Sequence, residues 1–318
     1  MVTDHQLRRS KAIQQRTGRT FHFATRLLPR RVRHPTYVVY AFFRVADEVV
    51  DDPGDASPAE QRERLERLRA EALGRRETDD EVLAAFSEVR EDRGIPDEEV
   101  ETFLAAMQTD VEKRRWETRD ELAAYMRGSA AAVGVMMQHV MGVEDPERAE
   151  PHAVALGEAF QLTNFLRDVR EDVVERDRIY LPGDVRERHG VTETDVRRCD
   201  PTDGFRTAMA EELRRAERKY REGVAGIEHL PADCQFAVLY AAVLYAEHHR
   251  LIRARDYDVF SSPPEVGPVR AAWLWAKTRW YWQQSRDPVT VFRTVSAVPD
   301  AEGVRARPNR TEGAPQAD

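Results

Sequence analysis

The sequence feature that most constrains the fold is a stripe of polar side chains between residues 161 and 182, here called the C-terminal acid stripe. On a helix, Gln161, Asn164, Asp168 and Asp172 lie on one face because they are spaced three, four and four residues apart. Unpaired carboxylates are costly to bury, so an inward-facing stripe needs a compensating cation. Carboxylate and amide oxygens suit Mg²⁺, which bridges protein and phosphate oxygens. With 57 acidic residues in the chain, a solvated acidic helix face is the competing interpretation.

A second set of polar residues, the N-terminal acid stripe, favours the metal interpretation. Tyr40, Arg44, Asp47 and Asp51 are spaced four, three and four residues apart. Most of the other residues between 38 and 50 are apolar, which predicts a buried helix rather than a solvated surface. The two stripes together predict a pair of helices that face each other across a cavity and hold Mg²⁺ ions around a diphosphate.

Six sequence blocks, taken in order, resemble those of one enzyme family. They span roughly residues 17–262 and read T-F-H-F-A-T-R-L-L-P at 20–29, Y-A-F-F-R-V-A-D-E-V-V-D at 40–51, V-G-V-M-M at 133–137, F-Q-L-T-N-F-L-R-D-V-R-E-D at 160–172, R-I-Y-L-P at 178–182 and Y-D-V-F at 257–260. The chain resembles the head-to-head trans-prenyl diphosphate synthases of the squalene and phytoene synthase family, and most closely the phytoene synthases.

Helix signals dominate the chain, and strand signals are nearly absent. We predict an all-α protein with a single domain over residues 1–290. The resemblance implies an isoprenoid-synthase-type helical bundle around a central cavity. The Pro-, Gly-, Arg- and Asp-rich composition of residues 291–318 predicts a disordered C-terminal tail. Continuous helices are predicted over 118–141 and 151–175, and His248 and His249 are predicted at the surface.

The resemblance also implies a reaction. Two geranylgeranyl diphosphates would join head to head through prephytoene diphosphate to give phytoene, the first step of carotenoid biosynthesis, with release of two diphosphates. Such a prenyltransferase needs an ion cluster that neutralises the leaving diphosphate. We therefore expect Mg²⁺ as the cofactor, with Mn²⁺ as an alternative ion, and we do not expect NADPH.

Roles for individual residues follow from the same resemblance. The expected catalytic residues are Asp47, Asp51, Asp168, Asp172, Tyr40 and Arg44. The expected metal ligands, direct or through water, are Asp47, Asp51, Asn164, Asp168 and Asp172. Contacts to diphosphate are expected from Arg residues, because guanidinium groups bind phosphate through paired hydrogen bonds. The expected substrate-binding residues are Arg19, Phe21, Tyr125, Val133, Gly134, Gln161, Arg167 and Tyr245.

Several of these assignments have a structural alternative. An alternative for Arg44 is an ion pair with Asp47 or Asp51 in a buried network, and Tyr40 and Tyr245 are equally suited to ordinary core positions. The small residues around Val133 and Gly134 suit close helix packing as well as a tunnel wall. The chain also departs from the family where Met126 and Arg127 replace a Cys and an aromatic residue. Where the family has a basic residue after its Tyr-Asp-x-Phe block, this chain has Ser262, and Arg270 is the candidate replacement.

Composition and charge limit the partners. The chain has 318 residues and a net charge of −8, with four Lys among its 49 basic residues. An acidic, Lys-poor surface fits a high-salt cytoplasm, although genomic base composition explains the Arg excess equally well. Nucleic acid is not an expected partner, because no basic block dominates. The N-terminus lacks the apolar core of a signal peptide, so a cytoplasmic location is expected.

The aromatic segment 273–282 has three interpretations: core packing, a dimer contact or loose association with a membrane surface. Trp273, Trp280 and Tyr281 lie near Lys277 and Arg279, as in an interfacial helix. The oligomeric state is not predicted. Two alternative functions stay open at this point. One is squalene or dehydrosqualene synthesis from farnesyl diphosphate, and the other is a non-catalytic all-α binding or assembly protein.

Overall fold

The computed structural model describes residues 2–17 and 23–300, and within them the fold is all-α, as predicted. Fifteen α-helices occur in this part of the chain. They are α1 Asp4–Thr17, α2 Arg30–Asp51, α3 Pro58–Ala72, α4 Glu81–Arg93, α5 Asp97–Asp110, α6 Arg119–Met126, α7 Ala132–Met141, α8 Pro146–Arg167, α9 Val169–Glu175, α10 Gly183–Arg188, α11 Glu193–Arg197, α12 Asp203–Ala225, α13 Ala232–Ala254, α14 Pro268–Ser285 and α15 Pro288–Val295. Between residues 23 and 300 the β-structure is one isolated bridge, from Arg115 to Ile179.

Local sequence signals fix several helix ends. Ser57 and Glu60 form a reciprocal capping box at the start of α3, and Pro58 occupies its first turn. The carboxylate of Asp80 accepts hydrogen bonds from the first turn of α4. That helix ends at Gly94, whose φ of 63° is left-handed and therefore favours glycine.

The predicted continuous helix over 118–141 is wrong in detail. A π-helical segment, Arg127–Ala131, separates α6 from α7. Gly128 lies in this segment against α5, where an added Cβ would be 2.5 Å from the carbonyl oxygen of Thr102. The segment therefore brings the main chain closer to α5 than a residue with a side chain would allow.

The predicted continuous helix over 151–175 is also wrong, because it is interrupted at Asp168. There φ is −102° and ψ is 16°, so α8 ends and α9 begins at the same residue. The amide of Asp168 still donates to the carbonyl of Asn164, at 2.8 Å, and its own carbonyl accepts from Asp172, at 2.9 Å. The interruption bends the C-terminal acid stripe at its third member.

The prediction of a disordered tail from residue 291 is wrong for 291–298. Asp287 caps α15 and Pro288 starts it, so a short helix forms despite the Pro-rich surroundings. Val291, Phe292 and Val295 are buried, and the Phe292 ring lies 5.9 Å from that of Tyr220 on α12. Residues 301–318 lie outside the described part of the chain.

The predicted surface position of His248 and His249 is wrong, since both are buried in α13. The Nε2 atom of His249 lies 3.0 Å from the hydroxyl of Thr163 on α8, and its Nδ1 atom lies 3.5 Å from Glu217 on α12. Burial lowers the pKa of His248 to about 4 and also lowers that of His249. A hydrogen-bonded, uncharged histidine can thus occupy a core position that sequence polarity alone assigns to the surface.

The helices enclose a cavity between α2, α7, α8 and α13. Helix α8 packs most extensively against α12, and also against α7. Glycines allow these close approaches, because a Cβ at Gly134 would lie 2.3 Å from the carbonyl oxygen of Ala153. A Cβ at Gly223 would lie 2.6 Å from the amide nitrogen of Leu156. The central cavity predicted for this bundle is therefore bounded in part by bare main chain.

Candidate active site

The two acid stripes face each other at one end of the cavity. Arg176, just after α9, lies between them: its Nη1 atom is 3.2 Å from Asp172 and its Nε atom is 3.5 Å from Asp51. Arg178 donates from Nη1 to Asp51 at 2.7 Å. Since one guanidinium contacts a carboxylate of each stripe, the predicted facing of the two helices is observed.

A layer of buried polar and aromatic groups supports this end of the cavity. The Nη2 atom of Arg178 donates to the carbonyl oxygen of Asp110 at 3.3 Å, and the hydroxyl of Tyr125 donates to the Asp110 carboxylate at 2.7 Å. The ring of Tyr180 stacks on Phe165 with centroids 3.9 Å apart. These contacts hold the loop after α9 against α5, and so fix Arg178 beside Asp51.

Burial raises the pKa of three carboxylates in and beneath the stripes. Burial raises the pKa of Asp172 to about 8, the nearby Asp168 charge adds to the effect, and Arg176 opposes it. Burial also raises the pKa of Asp47 to about 6 against the influence of Arg44. Asp110, which is 3% exposed, has its pKa raised by burial to about 7. Carboxylates crowded in this way favour any added cation that is able to reach them.

Residues 164–168 of the C-terminal acid stripe contact α13 through Tyr245. Arg167 donates to both oxygens of Asp168, at 2.7 and 2.5 Å, and its guanidinium lies 5.9 Å from the ring centroid of Tyr245. The hydroxyl of Tyr245 donates to the side-chain oxygen of Asn164 at 3.2 Å. The salt bridge of Arg44 to Asp47, 3.1 Å long, forms in the N-terminal acid stripe. Both Arg side chains thus pair with carboxylates in this state.

The donor set fits a hard divalent cation. Among residues 2–17 and 23–300, no three His, Cys, Asp or Glu side chains converge closely enough to hold an ion by themselves. Asp51 and Asp172 nevertheless share one positive charge, that of Arg176, and their oxygens are the ligand type that Mg²⁺ prefers. A cation bound here would take further ligands from outside the protein, as a Mg²⁺ ion bridging to phosphate does.

An apolar cavity of about 290 Å³ leads away from the stripes. At its polar end it is lined by Tyr40, Gln161 and Asn164. Val133 and Gly134 line its wall, and Gly134 also packs closely against α8, whereas contact of this block with a substrate stays a prediction. Such a cavity suits a hydrocarbon chain whose polar end group stays at the mouth, near the acid stripes.

Other predicted residues have different surroundings from those expected. Tyr125 does not line this cavity but bonds to Asp110 beneath the stripes. Arg270 pairs with the buried Glu247, at 2.9 and 3.2 Å. Arg19 and Phe21 lie outside the described residues.

Two residues of the site were missed by the sequence prediction. Arg176 is four residues after Asp172, and this helical spacing is the only local signal of their contact. Asp110 is the last residue of the amphipathic helix α5, and nothing in its immediate sequence distinguishes it from a surface carboxylate.

These features define an all-α isoprenoid synthase, a bundle in which facing acidic helices sit at the mouth of an apolar cavity. A known dehydrosqualene synthase crystal structure is similar, with a TM-score of 0.80 and 28% identity over 88% of this chain and 97% of that one. The phytoene synthase of Rhodobacter capsulatus is 35% identical over 83% of this chain and 78% of that protein. The phytoene synthase of Thermus thermophilus is 38% identical over 75% of this chain and 80% of that protein. Residues 14–272 match squalene/phytoene synthase, and the chain belongs to this family.

Proposed function

We propose that the protein is a prenyltransferase that condenses two geranylgeranyl diphosphates head to head into phytoene, through prephytoene diphosphate, and releases two diphosphates. The observation that carries this proposal is the contact of one guanidinium with Asp51 and Asp172, which brings both acid stripes to the mouth of an apolar cavity. The phytoene synthases at 35% and 38% identity support the C20 substrate.

We assign the metal site to five residues: Asp47, Asp51, Asn164, Asp168 and Asp172. Their hard oxygens suit Mg²⁺, with Mn²⁺ as an alternative, and NADPH has no part in the proposed reaction. When bound, the metal would neutralise charge on the departing diphosphate.

The chain's own residues bind and orient the substrate. Arg44 and Arg176 lie beside the acid stripes at the mouth of the cavity, where they would exchange carboxylate partners for diphosphate oxygens, while the buried Arg178 would keep its contact with Asp51. The apolar wall excludes water from the allylic cation, and the ring of Tyr40 at the mouth offers it an aromatic face. The proton lost in the last step would pass to the released diphosphate at this mouth, because the guanidinium groups there are already protonated.

A second candidate within the family is dehydrosqualene or squalene synthesis from the C15 diphosphate. The observation that favours it is the similarity to the dehydrosqualene synthase structure. The non-catalytic alternative is not proposed further, because the chain belongs to an enzyme family and retains both acid stripes.

A cytoplasmic protein that attaches loosely to a membrane surface through α14 is also part of the proposal. Trp273 is 48% exposed and Trp280 is 63% exposed on this helix. Within the described residues, no helix has the length and apolar character needed to cross a bilayer. The proposed hydrocarbon product partitions into lipid, so release at a membrane would suit it.

The experiment is incubation of the purified protein with Mg²⁺ and either the C15 or the C20 diphosphate, with products identified by mass spectrometry. We expect a C40 hydrocarbon from the C20 substrate without NADPH. Asp172→Asn should lower its formation by about a hundredfold or more, because the site loses a charged ligand. Glu175→Gln, an exposed carboxylate on α9, is the matched control. A C30 product from the C15 substrate alone would move the assignment to dehydrosqualene or squalene synthesis, and full activity of Asp172→Asn would refute the site.

A further inference from the structure

Gln138, on α7, is a polar residue at the wall of the apolar cavity. Its residue surface is only 2% exposed, and neither Nε2 nor Oε1 has a hydrogen-bond partner among the described residues. A buried amide without partners is costly, and the cost falls on both a donor and an acceptor. The hydroxyl of Ser129, also unpaired in the cavity wall, differs because a serine in a helix can turn to a carbonyl of its own preceding turn.

The register between α7 and α8 locates Gln138 along the cavity. A Cβ at Gly157 would meet the carbonyl oxygen of Ala130, and a Cβ at Gly134 would meet that of Ala153. Moving four residues forward, from 130 to 134, is thus matched on α8 by moving four residues backward, from 157 to 153. The next step of this antiparallel register places Gln138 opposite residue 149.

This position is far from the acid stripes. Ala149, which also lines the cavity, precedes Asn164 by 15 residues in α8. At the rise of an α-helix, the two are about 22 Å apart along its axis. That separation is comparable to the length of an extended C20 prenyl chain. Asn164 thus marks the diphosphate end of the cavity, and Gln138 marks the opposite end, toward which the hydrocarbon tail would extend.

The other groups at this end are mainly apolar. Met141 follows Gln138 by three residues on α7, and Leu230, just before α13, and Ala237, within it, also line the cavity.

The cavity lining also has four other polar residues whose hydrogen bonds go elsewhere: His152, Gln14, Thr25 and Thr36. Gln14 donates to the hydroxyl of Thr25 at 3.1 Å, and the hydroxyl of Thr36 donates to the carbonyl oxygen of Val32 at 2.8 Å. The Nδ1 atom of His152 lies 2.6 Å from the carbonyl oxygen of Glu222. Since a carbonyl oxygen only accepts hydrogen bonds, Nδ1 of His152 must donate its hydrogen bond to it and is not available to Gln138. None of these groups is a hydrogen-bond partner of Gln138, so the amide has no partner among the described residues.

We propose that Gln138 sets the upper limit on the length of the prenyl chain that the cavity accepts. The inference rests on the proposed function, because it takes the cavity to hold a prenyl tail. The amide is hydrogen-bonded to a water molecule at this end of the cavity when the bound tail leaves room for one. A C20 tail ends short of it, whereas a C25 tail displaces that partner and leaves both amide atoms against hydrocarbon. The longer substrate is thus rejected by loss of hydrogen bonds as well as by volume.

The test compares C20 and C25 diphosphates with the wild-type protein, Gln138→Leu and Gln138→Met. We expect the ratio of kcat/KM for C25 over C20 to rise about tenfold in both variants, because the hydrogen-bonding groups are removed at similar volume. Gln284→Leu, the same kind of exchange at an exposed position on α14 outside the cavity, is the control and should keep the wild-type ratio. The two replacements differ in shape, so one remains informative if the other misfolds.

A binding measurement separates this inference from the proposed function. Non-reactive thiodiphosphate analogues of the C20 and C25 chains should raise the Tm of the wild-type protein to different extents, and the difference should shrink in Gln138→Leu. If the wild-type protein makes no product but shows this pattern, the proposed reaction fails while the role of Gln138 stands. If the folded Gln138 variants keep both the wild-type product ratio and the wild-type Tm difference, the inference is overturned.

Discussion

At the scale of single residues, the mouth of the cavity is organised by guanidinium groups. Arg176 contacts carboxylates from both acid stripes, and Arg178, which is 4% exposed, contacts Asp51 from below. Each carboxylate that is buried near another gains from a shared cation, because like charges in a site of low polarity repel strongly. The Arg pairs are therefore what stabilises the acid stripes while no substrate is bound.

Arg176→Gln should make the protein less stable without metal and more responsive to it. Asp51 and Asp172 would lose their shared cation, which is expected to lower the free energy of unfolding by about 1–3 kcal/mol. The stabilisation produced by Mg²⁺ should increase, because the ion no longer competes with the guanidinium. Urea unfolding with and without Mg²⁺ measures both effects.

Arg218→Gln, an exposed change on α12, is the control for this prediction. It should leave the unfolding midpoint and the Mg²⁺ response unchanged. A response to Mg²⁺ in Arg176→Gln that equals the wild-type response would show that Arg176 does not occupy the position of the cation.

The acid stripes were predictable from sequence, whereas their partners were not. Helical spacing alone places Asp47 near Asp51, because neighbours three or four residues apart share a face. Arg178 reaches Asp51 only because the chain folds back after α9, across 127 positions of sequence. Such a contact depends on the path of a loop, and residue spacing carries no information about that path.

At the scale of helices, the limits of prediction lie at interruptions and ends. A hydrophobic pattern marks α8 and α9 as helical, but the change of direction at Asp168 does not alter that pattern. Composition likewise failed to predict α15, because proline is typically a helix-breaking residue, although Pro288 occupies the first position of the helix. Packing against Tyr220 decides the structure of that segment, and composition does not contain this information.

Gly134→Ala should separate α7 from α8. The new Cβ would lie 2.3 Å from the carbonyl oxygen of Ala153, which is main chain and has little freedom to move. We expect a loss of about 1–3 kcal/mol in the free energy of unfolding, which is typical of overpacking, and lower activity on the C20 substrate. Chemical unfolding and the hydrocarbon assay measure the two effects.

Gly267→Ala is the matched control, because nothing lies within 4 Å of an added Cβ there and its φ is −66°. This variant should be as stable as the wild-type protein or slightly more so. A Gly134→Ala variant with the same stability as Gly267→Ala would mean that the close approach of α7 and α8 is not required.

At the scale of the whole molecule, helix α14 exposes aromatic side chains, whereas charged residues are abundant in the chain as a whole. Trp273, Lys277 and Trp280 are spaced four and three residues apart, so they share one face of α14. Lys277 lies 5.2 Å from the ring centroid of Trp273. This combination of exposed indole rings and a cation suits a lipid headgroup region, despite the net charge of −8 of the whole chain.

Trp280→Ser should weaken binding to anionic phospholipid vesicles several-fold. The indole ring is 63% exposed, so its loss removes apolar surface without opening the core. Co-sedimentation with vesicles measures the effect, and Val289→Ser, an exposed apolar change on α15, is the control. Equal binding by both variants and by the wild-type protein would refute attachment through α14.

The glycines that bring α7 against α8 have a consequence for how the substrate range of this protein can evolve. At Gly134 and Gly157 the boundary of the cavity is the polypeptide backbone itself, and any larger residue there collides with a neighbouring carbonyl. Single substitutions can therefore reshape the cavity only through the side chains on its other walls, such as Met137 and Val238. The glycine positions are closed to mutational exploration, and new specificities must arise from the residues that line the rest of the wall.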